Sequence, residues 1–336
     1  MVVHGPNVDT VNMRCQNNFL IRRKCMVSTE LHVVFGTGQI GNILVDRLLA
    51  RGLRVRSVRR SREPSRHPAH ETVQADVYDF DAAIRAAQGA SVVYHCLTAP
   101  YHQWPTQLPP LYRHIAAAAK STKARLVVLD NVYAIGATGA FDESTREMPC
   151  SRKGTIRKQL ADEMRGMHAR GELSVTIGRA SDFFGPGADN TSLLHPRAIS
   201  QLVTGKTIDV IGDIDKPHSW SYAPDVAEGL LQLGLHPELA GQTLHLPVLP
   251  PQSGRSLLAA LAAELGVSLR TRQMPGWMLG ITGWFNPMMG ELPEMQYQFD
   301  HPFVMSDALI RSLLSISPTP LSEQIRATAD WIRRRA

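Results

Sequence analysis

Between residues 30 and 180 the chain alternates short apolar runs with longer amphipathic ones. Strand-like runs fall at 30–35, 53–58, 72–75, 91–96, 125–129 and 174–178, and helix-like stretches at 38–51, 79–88, 106–120 and 151–170. In the first helical stretch Ile40, Leu44 and Leu48 recur at helical spacing on one side. This alternation predicts an α/β fold with a parallel sheet covered on both faces, binding ligands at the carboxyl ends of its strands. After Gly185-Pro186-Gly187 the rhythm changes. Short strands (208–211, 242–246, 267–271) mix with helices (191–203, 224–234, 254–265), a Pro- and Met-rich segment covers 275–300, and a last helix is expected over 321–334. Residues 1–28 lack periodicity and read as an extension, disordered and without a role in the fold. Residues 29–186 then form the sheet domain, with strands and helices returning from the second half, and 187–336 mainly a smaller C-terminal lobe.

The turn after the first apolar run narrows this reading. Gly36-Thr37-Gly38-Gln39-Ile40-Gly41 has the form G-x-G-x-x-G and lies between a buried strand and a helix. That order points bare backbone N–H groups of a helix N-terminus at a pyrophosphate. The prediction is a Rossmann-type, doubly wound dinucleotide-binding fold with a substrate-binding lobe. The second strand runs into Arg59-Arg60-Ser61-Arg62, where an NAD site usually carries an acid about twenty residues past the first glycine. A guanidinium suits a 2′-phosphate, so NADP is expected ahead of NAD, with Arg59 and then Arg60 as the contacts. A solvated basic face is the other reading of the same run, and the first acid nearby is Glu63.

Composition excludes more than it proposes. An apolar fraction of 43% and a charged fraction of 20% in 336 residues are ordinary for a globular protein. The net charge of +6 comes with no zinc-finger spacing or RNA-binding aromatic signature, so no nucleic-acid partner is expected. The four cysteines (15, 25, 96, 150) are scattered, which suggests a reduced, cytoplasmic protein. The thirteen histidines show no ligand spacing, and no metal is expected. No apolar run approaches the ~18 residues of a membrane span. The expected partner is a small-molecule substrate, with a homodimer left open.

Further motifs resemble the extended short-chain dehydrogenase/reductase superfamily, of the NAD-dependent epimerase/dehydratase type. Gln74-Ala75-Asp76-Val77-Tyr78-Asp79 resembles that family's G-D-[LV]-x-D, which implies Asp76 and Val77 beside the adenine. Val92 to Ala99 resembles its fourth strand and loop, implying Cys96, Leu97 and Thr98 along the nicotinamide ribose. Arg179-Ala180-Ser181-Asp182-Phe183-Phe184-Gly185-Pro186 is similar to the turn that leads into the substrate lobe, with Ser181 toward the cofactor and Asp182 toward the substrate. Tyr222 to Ala227 and Pro318 to Glu323 match two late signatures. Two departures stand out. Phe35 replaces the family's first glycine, and the catalytic Y-x-x-x-K is missing: Lys153 takes the tyrosine position, Arg157 the lysine position, and Asn131 that of the usual Ser/Thr.

What remains must supply any proton transfer. Lys153 and Arg157 lie four apart on one helix face, and the like-charge pairing would poise Lys153 as an acid or oxyanion partner. The alternative is that both only supply positive potential near phosphate. Tyr133, at the carboxyl end of the fifth strand, offers a phenol, or a packing residue with a satisfied hydroxyl. Tyr101, His102 and Trp104 follow the fourth strand, where they face a substrate or anchor their own loop. Asp182 offers a carboxylate near the nicotinamide or a structural hydrogen bond, and Cys96 reads as core filler. Two function classes follow: an NADP-dependent oxidoreductase, epimerase or dehydratase with non-standard catalytic residues acting on a small organic substrate, or a non-catalytic NAD(P)-binding sensor or regulatory module.

Overall fold

Leu31–Phe35, the strand that enters the glycine turn, is buried along its whole length and sits at the middle of a sheet. A computed structural model describes Met1, residues 30–188, 191, 193–274, 290, 291 and 293–335. The extension 1–28 therefore lies outside the described residues apart from Met1, as does most of the 275–300 segment.

The strands are β1 (Leu31–Phe35), β2 (Arg54–Arg59), β3 (His70–Gln74), β4 (Ala90–His95), β5 (Arg125–Asn131), β6 (Gly139–Phe141), β7 (Val175–Ala180), β8 (Asp182–Phe184), β9 (Ile208–Val210), β10 (Pro217–His218), β11 (Trp220–Tyr222), β12 (Thr243–His245), β13 (Gln252–Ser253), β14 (Thr271–Gln273) and β15 (Phe303–Met305). The longer helices are α1 (Gln39–Ala50), α2 (Phe80–Ala87), α3 (Trp104–Thr122), α4 (Arg152–Ala169), α5 (Pro196–Val203), α6 (Ala223–Leu235) and α7 (Gly254–Leu265), followed by Ala308–Leu314 and Leu321–Arg333.

Seven strands form the central sheet in the order β12-β7-β5-β4-β1-β2-β3, every pair parallel. The chain leaves β1 toward β2 and β3, then returns to β4 on the other side. The carboxyl ends of β1 and β4 thus flank the switch point at which such sheets bind ligands. Period-two alternation splits the core into two layers. Leu31, Val33 and Phe35 pack with Val93, Leu126, Val128 and α2, α3 and α4 on one face. Val34, Val92, Tyr94 and Val127 pack with Leu44 and Leu48 of α1 and Leu230 and Leu231 of α6 on the other. Arg47 of α1 and Arg51 just after it pair with Glu228 of α6 at 3.1 and 2.8 Å.

The second half differs from its expected outline in places. β12 and α6 return to the main sheet rather than building the lobe. The helix expected from 191 starts at Pro196: the Pro196 ring suits a first helical position, and His195 Nδ1 accepts from the Ala198 N–H at 3.2 Å as its cap. Of the strand expected over 267–271 only Thr271 lies in one, β14, which pairs with β9. The lobe also holds β8 beside β11, and the small sheet β13-β10-β15-β6.

Candidate active site

The glycine turn closes tightly at its two ends and stays open at its middle. Gly36 has φ +96°, and a Cβ there would come within 2.8 Å of the Leu97 side chain; one on Gly41 would lie 1.8 Å from the Gly36 carbonyl oxygen. Those two glycines let β1, α1 and the end of β4 close on one another. At Gly38, by contrast, a Cβ would meet nothing within 4 Å. Gly38 is also the N-cap of α1, which has no side-chain cap and no acid in its first turn. Thr37 Oγ1, Gln39 Nε2 and Ser181 Oγ are buried without a hydrogen-bond partner among the described residues. Open space at an uncapped helix N-terminus, with the unpartnered Thr37 and Gln39 side chains at its start, fits the pyrophosphate of a dinucleotide. Burial pushes the Cys96 thiol up to about 12, so beside this cleft it is an inert wall. Leu97 is half-buried there and Thr98 is exposed. Val77 is buried, its carbonyl accepting from His114 Nδ1 at 2.8 Å, while Asp76 is exposed and accepts from the Tyr78 N–H.

At the end of β2 the arginine run is partly spoken for. Arg59 Nη1 donates to Glu63 Oε2 at 2.6 Å, and the other oxygen of Glu63 takes Arg66 at 2.7 Å. Arg60 is exposed. Glu63, the first acid after the arginine run, therefore holds the guanidinium expected to meet a 2′-phosphate.

At the end of β5, Tyr133 is 9% exposed and its hydroxyl lies 2.8 Å from that of Tyr101. Asn131 Oδ1 accepts from the Tyr133 N–H at 3.1 Å, so it shapes the turn that presents the phenol. Burial holds the Tyr133 phenol well above its ordinary range, with the neighbouring Tyr101 and Asp182 adding to the shift; burial raises Tyr101 too. Of the other aromatics in the 96–104 loop, Trp104 is 1% exposed, stacks on Tyr133 and donates from Nε1 to the Ala99 carbonyl at 2.8 Å. It supports the tyrosine pair from the core and has no face for a substrate. His102 is exposed and lies against Gln103 at 3.1 Å. Only Tyr101 of the three joins the site.

The like-charge pair expected of Lys153 and Arg157 is not what the helix builds. Lys153 Nζ, beneath the surface at 1% exposure, donates to the Glu291 carboxylate at 2.5 Å, to its carbonyl at 3.1 Å and to Glu294. It also sits over the Tyr101 ring. Arg157 donates to Tyr112 Oη at 2.6 Å and to Asp130 Oδ1 at 3.3 Å, and stacks on Trp104. Each cation has its own partners, because a buried charge without one would be too costly. The partners come from α3, from β5 and from Glu291 and Glu294, which sequence spacing could not connect to α4.

Sequence reasoning also missed His218. Its Nε2 lies 2.9 Å from Asp182 Oδ2 and its Nδ1 3.2 Å from the Gln298 carbonyl. The motif around Asp182 marked one half of this pair; nothing in Lys216-Pro217-His218-Ser219 marks the other.

With this geometry in hand, comparison with known proteins is decisive for the family. A model of the NAD dependent epimerase/dehydratase family matches residues 33–245, more than half of the chain. The chain belongs to that family. Among curated proteins none matches it in sequence. Solved structures share the fold of this family member throughout. UDP-glucuronic acid 4-epimerase from Bacillus cereus, in complex with UDP-glucuronic acid and NAD, superposes with a TM-score of 0.74 at 18% identity, covering 91% of this chain and 100% of that one. The dTDP-glucose 4,6-dehydratase DesIV from Streptomyces venezuelae, with NAD and TYD bound, gives 0.72 at 18% identity, covering 90% of this chain and 97% of the other. The extended short-chain dehydrogenase/reductase architecture expected from the motifs is thus the architecture found. Among the described residues no helix is long and apolar enough to cross a membrane.

Proposed function

We propose that this family member is an NAD-dependent epimerase or dehydratase of a nucleotide sugar, with Tyr133 moving the proton. The observation that carries the reading is the Tyr133–Tyr101 hydroxyl pair at 2.8 Å, at the carboxyl end of β5 and beside a turn that fits a dinucleotide. A phenol at that place can donate to, or take a proton from, a substrate oxygen as its carbon loses or gains a hydride. Tyr101 then holds the second hydrogen bond that keeps Tyr133 oriented. Gly36 to Gly41 and the α1 N-terminus would hold the pyrophosphate, with Thr37, Gln39 and Ser181 supplying the side-chain hydrogen bonds. Bound there, the nicotinamide cofactor supplies and recovers the hydride. Asp182, 16% exposed at its side chain, faces the substrate side.

NAD is the favoured form on two grounds. The Arg59 guanidinium that would answer a 2′-phosphate is held by Glu63, and that carboxylate can accept from a free 2′-hydroxyl. The relatives of known structure were also crystallised with NAD. The substrate class rests on the same relatives, together with the fold that this chain shares with them over about nine-tenths of its length.

Incubation of the protein with NAD and each of UDP-glucuronic acid, UDP-glucose and dTDP-glucose, followed by NMR of the sugar, tests the reading. An epimer or a dehydrated sugar is expected. Tight NAD binding with every sugar unchanged over long incubation would overturn it in favour of a cofactor-binding sensor.

A further inference from the structure

His218 is buried at 3% exposure and has two hydrogen-bond partners of one kind. The Gln298 main-chain oxygen at 3.2 Å can only accept, so Nδ1 carries a hydrogen. The partner of Nε2 is a carboxyl oxygen of Asp182 at 2.9 Å. Either Nε2 donates to a carboxylate or a protonated carboxyl donates to Nε2. In both cases one proton sits between the two residues. The rings around His218 decide which residue holds it: Trp220, Phe299 and Phe303 surround the imidazole at centroid distances of 4.3, 5.3 and 5.4 Å, Phe299 stacked within 7° of parallel. Aromatic faces favour a cation, which places the proton on the ring.

We propose that His218 is kept as an imidazolium and, through Asp182, serves as the positioning residue that balances charge around the Tyr101–Tyr133 pair. The proposal rests on the reading of Tyr133 as the group that moves the proton. Asp182 acts electrostatically on Tyr101, Tyr133 and Tyr297, and Arg157 reaches the two phenols of the pair from the opposite sense. Asp213 and Lys216 line the same cavity as the His218 imidazole and pair with each other at 3.4 Å. In the step itself the Tyr133 O–H bond breaks as a bond to the substrate oxygen forms, and the Tyr101 proton crosses 2.8 Å to restore Tyr133. The negative charge is left on Tyr101. Beside a bare Asp182 carboxylate that phenolate would be strongly disfavoured; beside a carboxylate neutralised by an imidazolium it is not. Lys153, already engaged by Glu291 and Glu294, cannot fill that place.

The test uses the full chain with ¹⁵N-labelled histidine. The His218 ring should show both nitrogens protonated, and in Asp182→Asn, whose amide can donate to Nε2, one of them should move to the unprotonated range. A single neutral tautomer in the unaltered protein overturns the proposal. Spectroscopic titration of the tyrosines gives the second reading. Asp182→Asn removes the carboxylate and the imidazolium charge together and should leave the pH at which the phenol pair ionises little changed; His218→Gln keeps a donor but leaves the carboxylate bare and should raise it by roughly a pH unit. No rise in His218→Gln, or an equal rise in both variants, also overturns it. These measurements need no substrate. A protein that passes them yet turns over no sugar loses the proposed function but keeps the imidazolium, whereas turnover with a neutral His218 defeats this inference alone.

Discussion

A Cβ placed on Gly41 would lie 1.8 Å from the carbonyl oxygen of Gly36. These residues are the first and last glycines of the turn, and their contact is one of backbone on backbone, which no side-chain rearrangement can relieve. Gly38 between them faces open space. The two kinds of glycine should part on mutation. Gly41→Ala is expected to lower the melting temperature sharply or prevent folding. Gly38→Val should melt like the unaltered protein and bind cofactor at least ten-fold more weakly by calorimetry. Normal NAD affinity in Gly38→Val would remove the turn from the pyrophosphate.

Cofactor choice should turn on the Arg59–Glu63 pair. Glu63→Ala releases Arg59 and removes the carboxylate that accepts from a 2′-hydroxyl. Binding of NADP should then tighten and that of NAD weaken, so that the ratio of their dissociation constants moves several-fold toward NADP. Arg59→Ala in the unaltered background should change NAD affinity little. An unchanged ratio in Glu63→Ala would mean that neither residue touches the ribose.

Removing the Tyr133 hydroxyl by Tyr133→Phe keeps the ring on Trp104 and most of the packing. Turnover should fall by roughly 10²–10⁴, as for other general acids, with cofactor affinity unchanged. Tyr101→Phe takes away only the partner hydrogen bond and should cost less. Lys153→Met, by contrast, leaves Glu291 and Glu294 facing each other without their cation. Its expected effect is a lower melting temperature with most of kcat retained. A loss of kcat in Lys153→Met as large as in Tyr133→Phe would assign the proton to the lysine.

Two buried histidines should weaken the fold in acid. Burial lowers His32 to about 4 and His95 to about 3, with the charges of Arg125 and Arg157 respectively adding to the shift. The unfolded chain takes up protons at these positions below an ordinary histidine value of about 6.5, while the folded protein does not. Stability from these groups is thus full above that pH and is lost progressively as the pH falls toward 4 and 3. The midpoint in urea should drop over that window, and by less in His95→Leu. An equal slope in the variant would show that carboxylates alone control the acid transition.

The fold was legible because its signals are local. The strand, glycine turn and helix around Gly36 to Gly41 lie within twenty residues, and the apolar period separates Val33 from Val34 into the two layers they occupy. The site was legible only in part. Tyr133 could be found at a strand end, but its partner Tyr101 is 32 residues away. The fates of Lys153 and Arg157 depended on Glu291, Glu294 and Asp130, whose separation along the chain hides the contacts. His218 lies in a two-residue strand too short to show a period. Trp104 misled for the opposite reason: aromatic residues in a loop suggest a binding surface, and this one turns inward.

The edge strand β12 follows the lobe in sequence but completes the sheet in space, with Thr243, Leu244 and His245 set against Ile177, Gly178 and Arg179. The lobe elements from β8 to β11 are therefore an excursion between two neighbouring strands of one sheet, tethered to it at both ends. A piece cut after Gly187 would leave β7 as a raw edge, without β12 or the helix α6 that covers it, and would be prone to pair with other copies. The excursion is also bound to strands from outside it, because β9 pairs with β14 and β10 lies in one sheet with β6, β13 and β15. The substrate side is accordingly knitted from segments on both sides of the excursion, and loss of any one of them should loosen it.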